Sequence, residues 1–370
     1  MLGAGSLVMA QRASNHDLTQ PEVVLAGKDS PDHQHVGASK PDVDQVYDVG
    51  KDAWLTVLGT HHSHSGQFCK HGSGLLEDVV KEAIRQNFQV YGLTEHVPRY
   101  RAIDLYPEEV NTSLDELSSQ FTSFLMEAHR LKTAYSAQIS LLVGLETEFI
   151  TDLDLHRLDI LLKEFGDRVQ YVVGSIHHVN GIPIDFDLPT YERALASFGD
   201  GTGDGGHEAR QQAFLSSYFD AQYELLRCFK PEIIGHFDLC RLYCPSLRFG
   251  HHPVIQEKVE RNVKFAVGYG ALFEVNAAAF RKKWDTAYPG EEVVQVIKRH
   301  GGRFALSDDS HGPHAVGMNY RRLPDYLRSV GISELWYLEP SDMPNSAGRN
   351  IRAVRLDGDW LDHPFWRGQP

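Results

Sequence analysis

Short apolar runs recur along the chain, separated by longer stretches of mixed polarity. They are WLTVLGT (54–60), VYGLT (90–94), SLLVG (140–144), YVVGS (171–175), EIIG (232–235), ALFEV (271–275) and RFALS (303–307). Runs without apolar–polar alternation fit strands buried on both faces. Between the first two, LLEDVVKEAIRQN (75–87) sets Leu76, Val79, Val80, Ala83 and Ile84 at the i, i+3, i+4, i+7, i+8 spacing of an amphipathic helix. Segments 107–137, 153–166, 211–229, 252–268 and 290–300 have similar patterns. Strand followed by helix, repeated along the chain, predicts an α/β fold with parallel strands inside and helices outside.

The ends of these runs are chemically unusual. They lead into His62-Ser63-His64, Glu95-His96, Leu145-Glu146, His177-His178, His236-Phe237-Asp238, Asn276 and Asp308-Asp309-Ser310-His311. Strands are ordinarily followed by glycine, proline or small polar residues. In a (β/α) barrel the C-terminal strand ends face one mouth, so residues distant in sequence become neighbours there. His62 and His64 stand at i and i+2 of an extended segment and point the same way, which aims two imidazoles at one ion. Taken alone, the pair reads equally well as a solvated histidine-rich turn. Asp309 and His311 repeat the spacing with a carboxylate and an imidazole. Glu146 ends a buried run, where an acid is unfavourable unless it is paired with an arginine or bound to a metal. Glu148, two residues on, reads as a group that steadies the ligands. Nitrogen and oxygen donors without thiolates suit zinc, iron or manganese.

Composition sets the outer limits. At 370 residues and 42% hydrophobic content, the chain can bury one large core, read here as a single catalytic domain over 51–345 with a tail (346–370) packing on it. Residues 1–50 mix Ser, Asp, Gln, His and Pro without periodicity, so a disordered or loosely attached extension is expected. Its start, MLGAGSLVMAQRAS, lacks acids as mitochondrial presequences do, but a single arginine makes a poor basic face. A glycine-rich stretch, Gly199 to Gly206, reads as a loop insertion. No apolar run approaches the ~18 residues of a membrane span. Four cysteines are too few for a disulfide framework and point to a reducing, cytoplasmic setting. Cys240 and Cys244 read as buried thiols, His251-His252 as loop, and Met126 with Phe121 and Phe124 as core contacts. A formal charge of −14 argues against nonspecific nucleic-acid binding.

In this order and spacing, HHSHSGQFCKH (61–71), GLTEH (92–96), GLETEF (144–149), VGSIHH (173–178), IIGHFDL (233–239), FEVNAAAFRK (273–282) and LSDDSH (306–311) resemble the polymerase and histidinol phosphatase (PHP) family. The resemblance runs from about Trp54 to Val316. Within the family, HSHSGQFC, YGLTEHVPRY and GHFDL are most similar to the histidinol-phosphate phosphatases of fungal type.

The resemblance implies a distorted (β/α)7 barrel, TIM-like, with a trinuclear site at the C-terminal strand ends. The first ion would take His62, His64, Glu146 and Asp309; the second His71, His96 and His311; Glu146 would bridge to a third, also held by His177 and His236. His71 departs from the bacterial pattern. It stands seven residues after His64 where six are usual, so the loop must absorb one inserted residue. The implied activity is hydrolysis of L-histidinol phosphate in histidine biosynthesis, by a metal-bridging hydroxide attacking phosphorus in line. Asp238 and His178 are candidate general acids, or alternatively groups that orient the ligands. Arg241 and Arg281 match family positions that bind phosphate, their plainer reading being surface ion pairs. Lys282 and Lys283 read as solvated. The imidazole and ammonium of this substrate would fit an acidic pocket, whose residues the sequence does not identify. Two alternatives stand beside this reading: a PHP phosphoesterase acting on nucleotides or nucleic-acid ends, and a catalytically silent metal-binding interaction protein.

Overall fold

The computed structural model describes residues 58–199 and 206–367. The extension expected over 1–50, and all but the ends of the glycine-rich stretch, lie outside the described residues. One parallel sheet runs in chain order through β1 (Gly59–Thr60), β2 (Val90–His96), β3 (Ser140–Glu146), β4 (Tyr171–Gly174), β5 (Ile233–Ile234), β6 (Leu272–Asn276) and β7 (Arg303–Ser307). Each predicted run contributes one of these strands. Around them lie α1 (Leu76–Arg85), α2 (Leu114–Ala134), α3 (Asp152–Phe165), α4 (Leu188–Ala196), α5 (Gly206–Phe229), α6 (Pro253–Tyr269), α7 (Ala278–Arg281), α8 (Glu291–Arg299) and α9 (Leu323–Ser329). Among the described residues no helix is long and apolar enough to cross a membrane.

The sheet nearly closes into a barrel through a seam just beyond β1 and β7. Ser63–His64 pairs in parallel with Ser310–His311, which sets His64 opposite His311. Below that pair, the Thr60 hydroxyl donates to Asp308 Oδ1 and accepts from Asp308 N–H, both at 3.1 Å. A seam of side chains and one short ladder therefore does the work of a full strand pairing.

Side chains alternate strictly along the strands. Tyr91, Leu93, Leu141, Val143, Val172 and Phe273 belong to the large apolar cluster shared with the helices. Their neighbours Val90, Leu142, Tyr171, Val173, Ile233, Leu272 and Ala305 form a second cluster inside the barrel. Tyr171 fills this interior and donates its hydroxyl to His61 O at 2.8 Å. Its ring lies over Gly144 and its hydroxyl over Gly92, and a Cβ on either glycine would overlap it. The interior is completed by an antiparallel hairpin, β8 (Trp336–Pro340) and β9 (Ile351–Arg355), whose Leu338 and Ile351 join the inner cluster. The Leu338 N–H donates to His61 Nε2 at 2.9 Å. Burial pushes that imidazole down to about 4, so it is neutral and able to accept. Arg349 ties the hairpin to the start of β5 through Glu232 at 2.7 Å, and Phe365 packs on Phe88.

On the outside, α2 starts with a capping box in which Ser113 and Glu116 satisfy each other's backbone N–H groups. Phe121 and Phe124 face the core as expected, but Met126 is 66% exposed. Two residues beyond Phe124 is about 200° around the helix, which turns Met126 to solvent.

The crowding at Gly92 gives a direct test. Gly92→Ala would force a methyl group against the buried Tyr171 hydroxyl and the His61 backbone, 2.8 Å from its Cα. Overpacking of this kind costs about 1–3 kcal/mol or more. Chemical denaturation should show that loss, whereas Gly268→Ala, with open space around it, should be near neutral.

Candidate metal centre

The inward row that builds the barrel interior continues upward into polar residues. On β2 it runs Val90, Gly92, Thr94, His96; on β3, Leu142, Gly144, Glu146; on β6, Leu272, Glu274, Asn276. Sheet register places His96 opposite Glu146 and Glu146 opposite Val173. Period-two alternation thus carries apolar core and candidate ligands on one face.

Glu146 is the centre of the cluster. Its Oε1 lies 3.1 Å from His62 Nε2 and 3.2 Å from both His177 Nε2 and His236 Nε2. Its Oε2 lies 3.2 Å from His64 Nε2 and 3.1 Å from His96 Nδ1. Asp309 adopts a left-handed φ of 46° and brings Oδ1 to 3.7 Å from His62 Nε2 and 3.6 Å from His64 Nε2. His311 and His71 stand at the edge of the same group, with ring centroids 4.9 Å apart. All nine sequence-predicted ligands are therefore gathered at one end of the barrel.

The donor set fits divalent cations. Nε2 atoms of His62 and His64 approach to 3.2 Å, as do those of His177 and His236. Ring nitrogens face to face at this separation need either a shared proton or a common cation. Both ring nitrogens of His96 are buried and make no hydrogen bond. Among the described residues four groups have one donor atom per residue converging within 4.8 Å: His62, His64 and Glu146; Glu146, His177 and His236; His96, Glu148 and His177; and His64, Cys69, His96 and His311. Burial by itself would raise the Glu146 carboxyl, yet His62, His177 and His96 around it hold it well below the usual carboxylate range.

A ring of buried acids fixes the imidazoles from behind. Glu274 Oε2 takes His62 Nδ1 at 3.1 Å, and its Oε1 accepts from the His236 N–H and from Asn276 Nδ2. Glu95 Oε2 lies 3.4 Å from His64 Nδ1, while Ser65 holds Oε1 at 2.9 Å. Glu148 faces Nδ1 of His96, His177 and His178 at 3.3, 3.2 and 3.4 Å, with Arg99 beside it. Carboxylates behind ligating histidines set tautomer and ring orientation. Glu274 was readable in the sequence as the one acid inside the run ALFEV.

A cavity of about 400 Å³ opens over the cluster. Arg281 lines it and donates Nη2 to Asp309 O at 2.9 Å. Lys282, expected to be merely solvated, is exposed but also lines this cavity. Three other expected contributors do not line it. Asp238 is fully buried, with Oδ2 accepting from Arg241 Nε and from Gly290 N–H, both at 2.9 Å. Arg241 is buried in the same ion pair and sits over the Phe249 and Trp284 rings. A 3-10 turn (Leu239–Arg241) follows directly and folds both side chains back into the protein. His178, next to His177, faces Glu148 at 2% side-chain exposure. The cavity instead presents Tyr106, Glu108, Asp185, Phe186 and Tyr288. The Tyr288 hydroxyl and Asp185 Oδ1 are buried atoms without a hydrogen-bond partner.

Replacing the partner behind His62 should weaken the centre without removing a ligand. Glu274→Gln is expected to lower metal affinity about 10–100-fold, read by competition against a chromophoric chelator. Unchanged affinity would mean that Glu274 does not orient His62.

Comparison with known proteins agrees with this geometry. A family model described as PHP domain matches residues 60–278. The chain is 42% identical over 302 residues to a Schizosaccharomyces pombe protein named "Probable histidinol-phosphatase", covering 81% of this chain and 94% of that one. It is 34% identical over 344 residues to the histidinol-phosphatase of Saccharomyces cerevisiae, covering 84% and 99%. In fold it is similar to the solved histidinol phosphate phosphatase of Lactococcus lactis complexed with zinc, L-histidinol and phosphate. The TM-score is 0.54 at 17% identity, over 82% of this chain and 99% of that one. With the family match spanning most of the barrel and yeast relatives aligned over nearly their whole length, the chain belongs to the PHP domain family.

Proposed function

We propose that this protein is a metal-dependent phosphatase that hydrolyses L-histidinol phosphate to L-histidinol and phosphate, a step of histidine biosynthesis. The observation that carries the reading is a single cavity with two chemistries. A cluster of candidate ligands meets Arg281 and Lys282 in it, and the same walls carry Glu108 and Asp185. A substrate with a phosphate at one end and an imidazole and an ammonium at the other matches that distribution. The yeast relatives carry the corresponding name.

His62, His64, Glu146 and Asp309 would hold one divalent ion, His71, His96 and His311 a second, and Glu146 with His177 and His236 a third, zinc, iron or manganese being suited to such donors. When bound, these ions supply an activated water and neutralise the phosphoryl charge. Arg281, held beside Asp309 by its bond to the backbone carbonyl, offers remaining guanidinium N–H groups to phosphate oxygens. Lys282 adds a second positive charge. Tyr288 presents a buried hydroxyl with no protein partner, placed to donate to a ligand oxygen. Tyr106 and Phe186 stack with centroids 6.2 Å apart and offer apolar faces to an imidazole ring. The unpartnered Asp185 Oδ1 accepts a hydrogen bond from a cationic N–H, and Glu108 adds negative charge beside it.

Phosphate release from L-histidinol phosphate should far exceed release from nucleotide and sugar monophosphates, and a chelator should abolish it. Activity confined to nucleotides would overturn the substrate while keeping the centre. No release with any of the three metals would bring forward the silent binding protein. Asp309→Ala should lower kcat by orders of magnitude. Asp185→Asn separates recognition from chemistry: kcat/KM for L-histidinol phosphate should fall about tenfold or more, as for loss of a charged hydrogen bond. Its slow hydrolysis of a substrate lacking a cation, such as glycerol phosphate, should not fall.

A further inference from the structure

We propose that Cys69 supplies a sulfur ligand to the second of these ions, completing a set of three nitrogens and one sulfur with His71, His96 and His311. The proposal rests on the metal reading above and adds a donor which that reading did not include.

Its first support is convergence. Cys69 Sγ lies with ligand atoms of His64, His96 and His311, all within 4.8 Å of one another. It also lies 3.2 Å from His71 Nε2. A sulfur at ~2.3 Å and a nitrogen at ~2.0 Å from one tetrahedral ion stand about 3.5 Å apart, so the observed separation needs little adjustment. A second, independent observation is the state of His96. Its Nδ1 faces Glu146 and Glu148, but its Nε2 is buried and makes no hydrogen bond, which leaves one donor atom of this group without a protein partner.

The third support is the loop that carries the sulfur. Segment 65–73 closes on itself through Cys69 N–H to Ser65 O (2.8 Å), Gly72 N–H to Cys69 O and Gly66 N–H to Ser73 O (both 3.0 Å). Ser73 N–H then donates to His311 O at 3.0 Å, joining the loop to the barrel seam. Gly66 and Gly72 pack so closely on the Ser73 and Ser65 backbone that a Cβ on either would clash. Phe68 is turned outward against Phe124, ring centroids 5.8 Å apart. The ring returns both Cys69, 5% exposed, and His71 to the cluster.

On binding, the thiol proton passes to solvent and a sulfur lone pair bonds to the ion, with no change of oxidation state. A soft donor makes this position prefer zinc or cobalt over manganese, while the other two positions, built from nitrogen and oxygen, lack that bias.

The test uses the full chain stripped of metal and reloaded with cobalt(II) alone. A near-ultraviolet sulfur-to-cobalt charge-transfer band should accompany the visible ligand-field bands, and Cys69→Ser should lose the former while keeping the latter. Ligand-field bands without charge transfer in the unmodified protein, or charge transfer that survives Cys69→Ser, would overturn the sulfur ligand but leave the metal centre standing. Absence of both band types would overturn the centre itself and the proposal with it. Should Cys69→Ser fail to fold, alkylation of the unmodified protein gives the same answer. Zinc should slow reaction at Cys69, whose sulfur lone pair is then engaged by the ion, and leave exposed Cys228 unaffected. Equal rates with and without zinc would overturn the assignment.

Discussion

Everything at the open end of this barrel is conditioned by the burial of Glu146. A carboxylate removed from water costs several kcal/mol unless charge and hydrogen bonds replace the lost solvation. Here the replacement is five imidazole nitrogens within 3.1–3.2 Å, from His62, His64, His96, His177 and His236. Those imidazoles are themselves largely buried, and the acids behind them, Glu95, Glu148 and Glu274, are buried too. Protons alone serve such a cluster poorly, because the nitrogen pairs at 3.2 Å repel when both are protonated. Divalent ions satisfy carboxylates and neutral imidazoles together. Metal binding and the folding of this end of the protein are accordingly one equilibrium.

The fold makes that arrangement with very little machinery. Alternation on the strands gives each an inward row, and the same row that carries Val90 or Leu142 in the interior carries His96 or Glu146 two to three positions higher. Glycines at 92 and 144 let Tyr171 fill the space between, so the ligand layer rests on a packed floor. The seam is the economical part: among the described residues β1 and β7 share no ladder, and the pairing of Ser63–His64 with Ser310–His311 both closes the ring and aligns the two i, i+2 ligand pairs. A shift of register there would turn the imidazoles outward, which is why the Thr60 and Asp308 hydrogen bonds beneath it matter.

What could be read from the sequence follows the same division. Strand ends were legible because apolar runs stop abruptly at ligand-type residues, and alternation then fixes which way His62, His64 and Glu146 point. Beyond the strand end that rule lapses. Asp238 and Arg241 enter a 3-10 turn and pair with each other, and His178, adjacent to His177, turns away from the cavity toward Glu148. Glu108 lies in a 3-10 turn (Pro107–Glu109) ahead of α2, where the helical pattern read from 107 does not yet hold, and Asp185 sits in a connection before α4, so only the folded chain brings them to the cavity. Met126 failed for a different reason: a helical count that was two residues off turns a core contact into a surface one.

The charge of −14 looks at odds with a phosphate substrate, and the resolution lies in where positive charge is held. Among the described residues lining the cavity the fixed cations are Arg281 and Lys282, against Glu108, Glu146, Asp185 and Asp309 on the same walls. Set against those acids, the two fixed cations leave no net positive charge for a phosphate dianion; bound divalent ions invert the balance near the cluster while the acids at Tyr106 and Phe186 remain. That inversion is local, since screening confines it to about 8–10 Å at physiological salt. The field can thus be positive where the phosphate sits and negative where an organic cation sits, inside a cavity of about 400 Å³. Discrimination follows from this polarity. A nucleotide would set further phosphate or carbonyl oxygens against Asp185 and Glu108, whereas a compact molecule with one anionic and one cationic end is favoured at both.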